Sequence, residues 1–203
     1  AIEWIGKKMT LSEIMDELKK DILFYDESGG GITLSGGEPL MQPEFALSIL
    51  QKCKAQGIRT AVDTCGYVPW ETLAKIQKYV DLFLFDIKHM DDEKHKKYTG
   101  VTNKLILSNL EKLSQFNSRI IIRIPIIPGI NDDQDNISRT GRFIVSLGIK
   151  EVHILPYHDI GISKYERRGV PYPLEHIKPP TDISIQRIQS LLTTFGLNVK
   201  NGG

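Results

Sequence analysis

Polar residues able to do chemistry collect at the ends of short apolar runs. Ile32-Thr33-Leu34 leads into Ser35-Gly36-Gly37-Glu38-Pro39, and Ile58–Val62 leads into Asp63-Thr64-Cys65-Gly66. The run "LFLF" is followed by Asp86-Ile87-Lys88, Arg123 sits inside "IIIRIPIIPG", and Pro156-Tyr157-His158 closes "VHIL". Two adjacent glycines let another group come close to the backbone, although ordinarily they serve only a turn. A turn has no need of the glutamate and proline directly behind them. Gly36, Gly37 and Glu38 therefore read as part of a site that wants a carboxylate. An arginine within an isoleucine-rich strand is costly unless it is paired or binds an anion, which favours a functional Arg123. Singly, the others have plainer readings: Asp63 and Thr64 as loop caps, Asp86 with Lys88 as a strand-end ion pair, His158 as a solvated histidine. Together, five strand ends bearing polar or glycine residues suit one polar ligand. His89, His95, His153 and His176 show no metal-ligand spacing and read as structural; Cys53 reads as packing, and Cys65 fits either role.

The elements that must position these residues follow from periodicity. Thr10 with Glu13 fits a capping box, which predicts one helix over Leu11–Tyr25. Gly29-Gly30-Gly31 breaks the chain before a strand at Ile32–Ser35, and Pro43 suits the first turn of a helix ending near Gly57. Further strands are predicted at Ile58–Asp63, Leu82–Asp86, Ile120–Ile127 and Glu151–Leu155, with a tail segment at Leu197–Lys200. Helices are predicted at Pro69–Tyr79, Asn103–Phe116, Asp133–Leu147 and Asp182–Phe195. The strands read as unbroken apolar runs, as expected if both faces of a parallel sheet are buried. Strict alternation of strand and helix gives the fold class α/β, a parallel sheet wrapped by helices and closed or partly closed. In such folds ligands sit at the carboxyl ends of the strands, where the polar residues lie. Residues 156–180 form a long Pro-, Tyr- and Gly-rich loop, and loops of that length are more often functional than accidental.

The bulk numbers bound the classes. The 203 residues suffice for one domain, 1–203. A net charge of +1 implies no broad basic face for nucleic acid, and no apolar run approaches the roughly 18 residues of a membrane helix. Two cysteines make neither a disulfide framework nor a C-x-x-C metal motif, in keeping with a reducing cytoplasm.

The segments "GGITLSGGEPLMQPEF", "IRTAVDTCGY", "LFLFDIKHMDDEKHKKYTGV", "RIPIIPGIND" and "ILPYH" together resemble the radical S-adenosylmethionine (SAM) enzymes. Within them the chain resembles the glycyl-radical-enzyme activating enzymes, the pyruvate formate-lyase activating enzyme group. The resemblance implies a partial (β/α) barrel. It also implies a [4Fe–4S] cluster that reductively cleaves SAM to a 5′-deoxyadenosyl radical, which makes a glycyl radical on a partner enzyme. A flavodoxin- or ferredoxin-like protein would donate the electron. By the same resemblance, acceptors at Gly36, Gly37 and Glu38 take the cofactor's amino group, and Lys88 and Arg123 neutralise its carboxylate. His158 touches the ribose or adenine. Asp63 and Asp86 line the site and, with Thr64 and Leu84 as further candidates, hold a monovalent cation.

The family's cluster is held by three cysteines in a C-x3-C-x2-C loop, and this sequence has no such loop. The expectation is that these residues are a fragment lacking the first strand and the cluster loop, catalytically silent alone. Two competing readings stand. "DIKHMD" (Asp86 to Asp91) matches the D-x-K-x-x-D pattern of decarboxylase-like barrels. A cluster-free module of the same fold that only binds a partner is the other.

Overall fold

The computed structural model describes residues 6–116, 118–158, 165 and 169–202. Helices α1 (Leu11–Lys19) and α2 (Ile22–Ser28) precede strand β1 (Gly31–Leu34), α3 (Pro43–Ala55) and β2 (Arg59–Thr64). Then come α4 (Trp70–Ile76), β3 (Leu82–Asp86), α5 (Asp92–Thr99), α6 (Lys104–Leu113) and β4 (Arg119–Ile126). Helix α7 (Gln134–Ser146), β5 (Glu151–Pro156), α8 (Asp182–Thr193) and β6 (Asn198–Asn201) complete the order. Short 3-10 turns stand at Pro39–Met41 and Gln77–Tyr79.

The six strands lie in sequence order, β1 to β6, and every neighbouring pair is parallel. Right-handed crossovers in such an order place all the connecting helices on one face. Phe83, Phe85, Ile122, Ile124, Val152 and Ile154 point to that face and share one core with α3, α4, α6, α7 and α8. A satellite cluster of Met15, Ile32, Ile49, Cys53 and Ile58 fastens α1 to α3 and β1.

Several expectations are amended. The sheet is not buried on both faces: Asp63, Leu84, Asp86, Arg123 and His153 alternate with the core residues and are only partly covered. Polar groups can survive on this second face because it is only partly covered among the described residues. The predicted helix over Leu11–Tyr25 is two helices. Its capping box is present, but Lys20 and Asp21 tighten onto the carbonyls of Glu17 and Leu18, and the chain restarts at Ile22. Helix α5 was not foreseen. Its sequence DEKHKKYT has no apolar stripe, and it is defined instead by its caps: Asp91 accepting from Lys94 N–H, and Gly100 in the left-handed region. The tail segment is a true sixth strand paired with β5.

Gly66 marks where β2 turns towards α4. Its φ is +70°, and a methyl group there would lie 2.3 Å from Phe85 Cζ. Gly66→Ala should therefore cost about 3 kcal/mol, left-handed strain added to overpacking. Gly57 has φ +73° but nothing within 4 Å of an added methyl, so Gly57→Ala should cost only about 1 kcal/mol. Urea denaturation of the two variants checks the difference, and equal losses would contradict the packing account.

Candidate functional site

Because every strand runs the same way, the residues singled out above share the carboxyl edge of the sheet. Register then brings specific pairs together on the open face. Asp63 stands beside Leu84, Asp86 beside Arg123, and Arg123 beside His153. The Arg123 guanidinium sits between two carboxylates. Its Nε donates to Asp86 Oδ1 at 3.0 Å, and its Nη2 bonds both Asp86 Oδ1 and Asp63 Oδ1. Lys88 Nζ takes the other oxygen, Asp86 Oδ2, at 3.1 Å. The side chains of Arg123, Asp63 and Asp86 are only 17%, 25% and 19% exposed, so this is not a screened surface pair. Burial nonetheless pushes the Asp63 carboxyl above the ordinary carboxylate range. Arg123 offsets part of that, while Asp86 and Glu38 add to it.

Glu38 has a role that the sequence did not show. Its carboxylate accepts from Thr64 Oγ1 at 2.8 and 2.9 Å, from the Cys65 N–H at 3.0 Å, and from the Leu40 N–H at 3.2 Å. The Cys65 thiol also lies 3.2 Å from it. The side chain thus rivets the Gly36–Gly37 turn to the end of β2. Gly36 has φ +131°, and an added methyl at Gly36 or Gly37 would have nothing within 4 Å. There is open space in front of both. Thr64 donates to Glu38 and accepts from the Gly66 N–H. Its side chain is buried on the helix face, opposite Asp63, so of the four residues expected at a cation Asp63, Leu84 and Asp86 present side chains to the open face and Thr64 does not. His158 lies two residues past β5 and is exposed; no hydrogen bond joins it to the Arg123 group among the described residues.

Sequence reasoning missed a set of buried asparagines behind the site. Asn109 Nδ2 holds the Gly66 and Val68 carbonyls at 2.8 and 2.7 Å. Asn103 Nδ2 holds the His89 carbonyl, Asn131 Nδ2 holds those of Lys88 and Pro125, and Asn136 Oδ1 accepts from the Met90 N–H. Asparagines near turns are ordinary, and only "PGIND" offered any signal. His153 reads from the sequence only as structural. Its Nε2 is buried on the same face as Arg123 and has no hydrogen-bond partner among the described residues. In "DIKHMD", Asp91 is consumed as the cap of α5, 2.9 Å from Lys94 N, and does not join Asp86 and Lys88. That removes the second carboxylate which the decarboxylase-like reading needs.

Of the long loop, Tyr157 and Tyr172 hydroxyls meet at 2.9 Å, and the Tyr165 and Tyr172 rings stack edgewise at 4.9 Å. Arg167 and Arg168 lie outside the described residues. A groove of about 850 Å³ runs along the outer side of the same edge, walled by Tyr98, Pro128, Ile130, Leu174, Ile177 and Pro180 among others. No helix is long and apolar enough to cross a membrane among the described residues.

A scan against family models matches residues 2–140 to the Radical SAM superfamily. The choline trimethylamine-lyase activating enzyme of Oleidesulfovibrio alaskensis is 39% identical over 203 residues, covering 98% of this chain and 66% of that protein. The trans-4-hydroxy-L-proline dehydratase activating enzyme of Clostridioides difficile is 41% identical, covering 100% of this chain and 68% of that protein. The chain thus spans about two thirds of the length of these curated relatives. Among solved structures, a domain of pyruvate-formate lyase-activating enzyme from Bacteroides vulgatus superposes with a TM-score of 0.73 at 35% identity, over 86% of this chain and 99% of that domain.

Removing Arg123 would leave Asp63 and Asp86 as facing, poorly solvated carboxylates. Arg123→Ala should cost about 3 kcal/mol near neutral pH, as when one partner of a buried ion pair is lost. Asp63 already titrates above its ordinary value and should rise further without Arg123. A folded-state pKa raised above the unfolded one means stability lost as pH rises through it and regained as pH falls. The gap between the variant and the parent should therefore narrow from about pH 7 to about pH 4.5. Denaturant unfolding at both pH values measures it; a gap that is constant or widens towards acid contradicts the assignment.

Proposed function

The chain belongs to the radical SAM superfamily, and on that premise we propose that its carboxyl edge is the SAM-binding part of a glycyl-radical-enzyme activating enzyme. The observation that carries the reading is the juxtaposition of an unobstructed Gly36–Gly37 backbone with the Asp63–Arg123–Asp86–Lys88 group. SAM carries an ammonium, a carboxylate and a sulfonium. Carbonyls of the glycine turn suit the ammonium, while Lys88 and Arg123, already oriented by Asp86, suit the carboxylate. Glu38 keeps the turn in place. His158, on the same edge, is assigned to the ribose or adenine, and Asp63 with Asp86 to a monovalent cation beside the cofactor's carboxylate.

The superfamily implies a [4Fe–4S] cluster as well as SAM, and these residues do not fit the cluster. Cys53 is fully buried between α3 and α1, and burial raises the pKa of its thiol. Cys65 has its thiol raised by burial and by the Glu38 carboxylate beside it. Two thiols, one of them enclosed in the core, cannot stand in for the three thiolates such a cluster takes. For the whole protein, the proposed activity is the reductive cleavage of SAM to a radical that takes hydrogen from a glycine of the partner. That partner is a glycyl-radical enzyme of the class served by its relatives, and the electron comes from a flavodoxin- or ferredoxin-like donor. Free cysteines among the described residues suit a reducing cytoplasm.

Two outcomes check this. A methyl added at Gly37 would meet nothing within 4 Å, so Gly37→Ala should fold unchanged, while SAM affinity of the full-length protein should fall about tenfold or more, the effect of losing a charge-assisted hydrogen bond. Calorimetric titration with an unfolding curve for each protein measures both, and wild-type affinity would exclude the glycine turn from the site. Residues 1–203 alone, reconstituted anaerobically with iron and sulfide, should give neither the cluster's visible absorption nor 5′-deoxyadenosine under strong reduction. Cluster-dependent product from these residues would overturn the thiol argument.

A further inference from the structure

The loop from β3 to α5 is held in an unusual way. Three consecutive carbonyls, those of Lys88, His89 and Met90, each accept a hydrogen bond from a different side chain: Asn131 Nδ2 at 2.9 Å, Asn103 Nδ2 at 3.0 Å and Arg139 Nη2 at 3.0 Å. The Met90 N–H donates to Asn136 Oδ1 at 2.9 Å, and the Asp91 N–H to His89 Nδ1 at 2.9 Å. Five bonds over four residues fix a segment that belongs to no helix or strand. Lys88 is the member of this segment whose side chain reaches the site, through Asp86.

We propose that Asn131 is a positioning residue for that site, setting the Lys88 ammonium by clamping the Lys88 peptide to the end of β4. Asn131 is 2% exposed, and its side chain serves three main-chain groups, one in the β3–α5 loop and two at the end of β4. Its Oδ1 accepts from the Ile127 N–H at 2.8 Å, and its Nδ2 donates to the Pro125 carbonyl at 2.6 Å as well as to that of Lys88. Both amide hydrogens are therefore spent, and among the described residues no other side chain ties β4's carboxyl end to the β3–α5 loop at the lysine itself. Asn136 Nδ2 in turn holds the Asn131 carbonyl at 2.8 Å, which keeps the clamp from rotating away. The remaining bonds, at His89 and Met90, hold the rest of the loop. Loss of Asn131 thus frees the Lys88 peptide, two residues from the Asp86–Arg123 pair, more than it frees the loop. Arg123 and Lys88 approach Asp86 from different strands, Arg123 along β4 and Lys88 from beyond β3. The clamp fixes the distance between them, and hence their shared grip on one carboxylate-bearing ligand.

The proposal rests on the reading of Lys88 as a cofactor contact, and a double-mutant cycle separates the two. SAM affinity is measured by titration calorimetry on the full-length protein and its Lys88→Ala, Asn131→Ala and doubly substituted forms, with unfolding curves for each. Lys88→Ala should weaken binding about tenfold and Asn131→Ala about fivefold, the scale of a charge-assisted hydrogen bond lost or misplaced. If Asn131 acts through Lys88, the double variant should match Lys88→Ala within about twofold, because the second change has nothing left to misplace. Independent losses that multiply to about fiftyfold would assign Asn131 a merely structural role and overturn the proposal. Unchanged affinity in Asn131→Ala would overturn it too. Unchanged affinity in Lys88→Ala would instead sink the reading of Lys88, and the clamp's purpose with it. Should Asn131→Ala fail to fold, Asn131→Ser, which keeps one donor and one acceptor, goes through the same cycle under the same criteria.

Discussion

The site depends on one ion-pair group, Arg123 held between Asp63 and Asp86. Three strands meet in it: β2, β3 and β4 each contribute one member. Two carboxylates at this depth would repel each other and lose much of their hydration. The guanidinium makes their proximity tolerable, and its planar fork bonds both at once. Lys88 adds a second cation on Asp86, so two cations face two carboxylates and the formal charges of these four side chains cancel. A ligand that carries both signs can exchange with members of such a group without leaving a bare charge behind.

The rest of the architecture serves to keep that group at an accessible edge. Parallel strands in sequence order send every helix to one face, and the hydrophobic core forms there. The other face is left free to hold polar side chains. Behind the loops, the polar work passes to uncharged amides. Asn103, Asn109, Asn131 and Asn136 are all nearly inaccessible and bonded to main-chain groups. Amides suit this task because they satisfy buried carbonyls and N–H groups without the desolvation cost of a charge. Two charged side chains join them: Glu38, which is surrounded by donors, and Arg139, which reaches the Met90 carbonyl.

Much of this was legible in the sequence, for reasons that also explain the gaps. Strand and helix positions followed from apolar periodicity and caps, and the strand ends were therefore assignable. Asp63, Asp86, Lys88 and Arg123 could be grouped because parallel order alone brings carboxyl ends together. What periodicity does not encode is which face a strand residue takes when the second face is polar. The apolar runs were accordingly read as doubly buried, although Leu84 and Asp86 look away from the core. Helix α5 was invisible because its sequence has no apolar stripe. The Glu38 rivet and the asparagine clamps were hidden because each includes a contact across 14 to 46 residues. A side chain's type shows its capacity to bond, not the partner that the fold supplies.

The central claim is that SAM binds at the carboxyl edge of this sheet, against the glycine turn and the Arg123 group. Titration of SAM into isotope-labelled protein, followed by amide chemical shifts, addresses it most directly and tolerates weak binding. The account predicts shifts concentrated at Gly36, Gly37, Thr64, Lys88 and the residues flanking Arg123, with the amino edge around Gly31, Arg59 and Arg119 unmoved. Shifts centred on that opposite edge, or none at millimolar ligand, would contradict it.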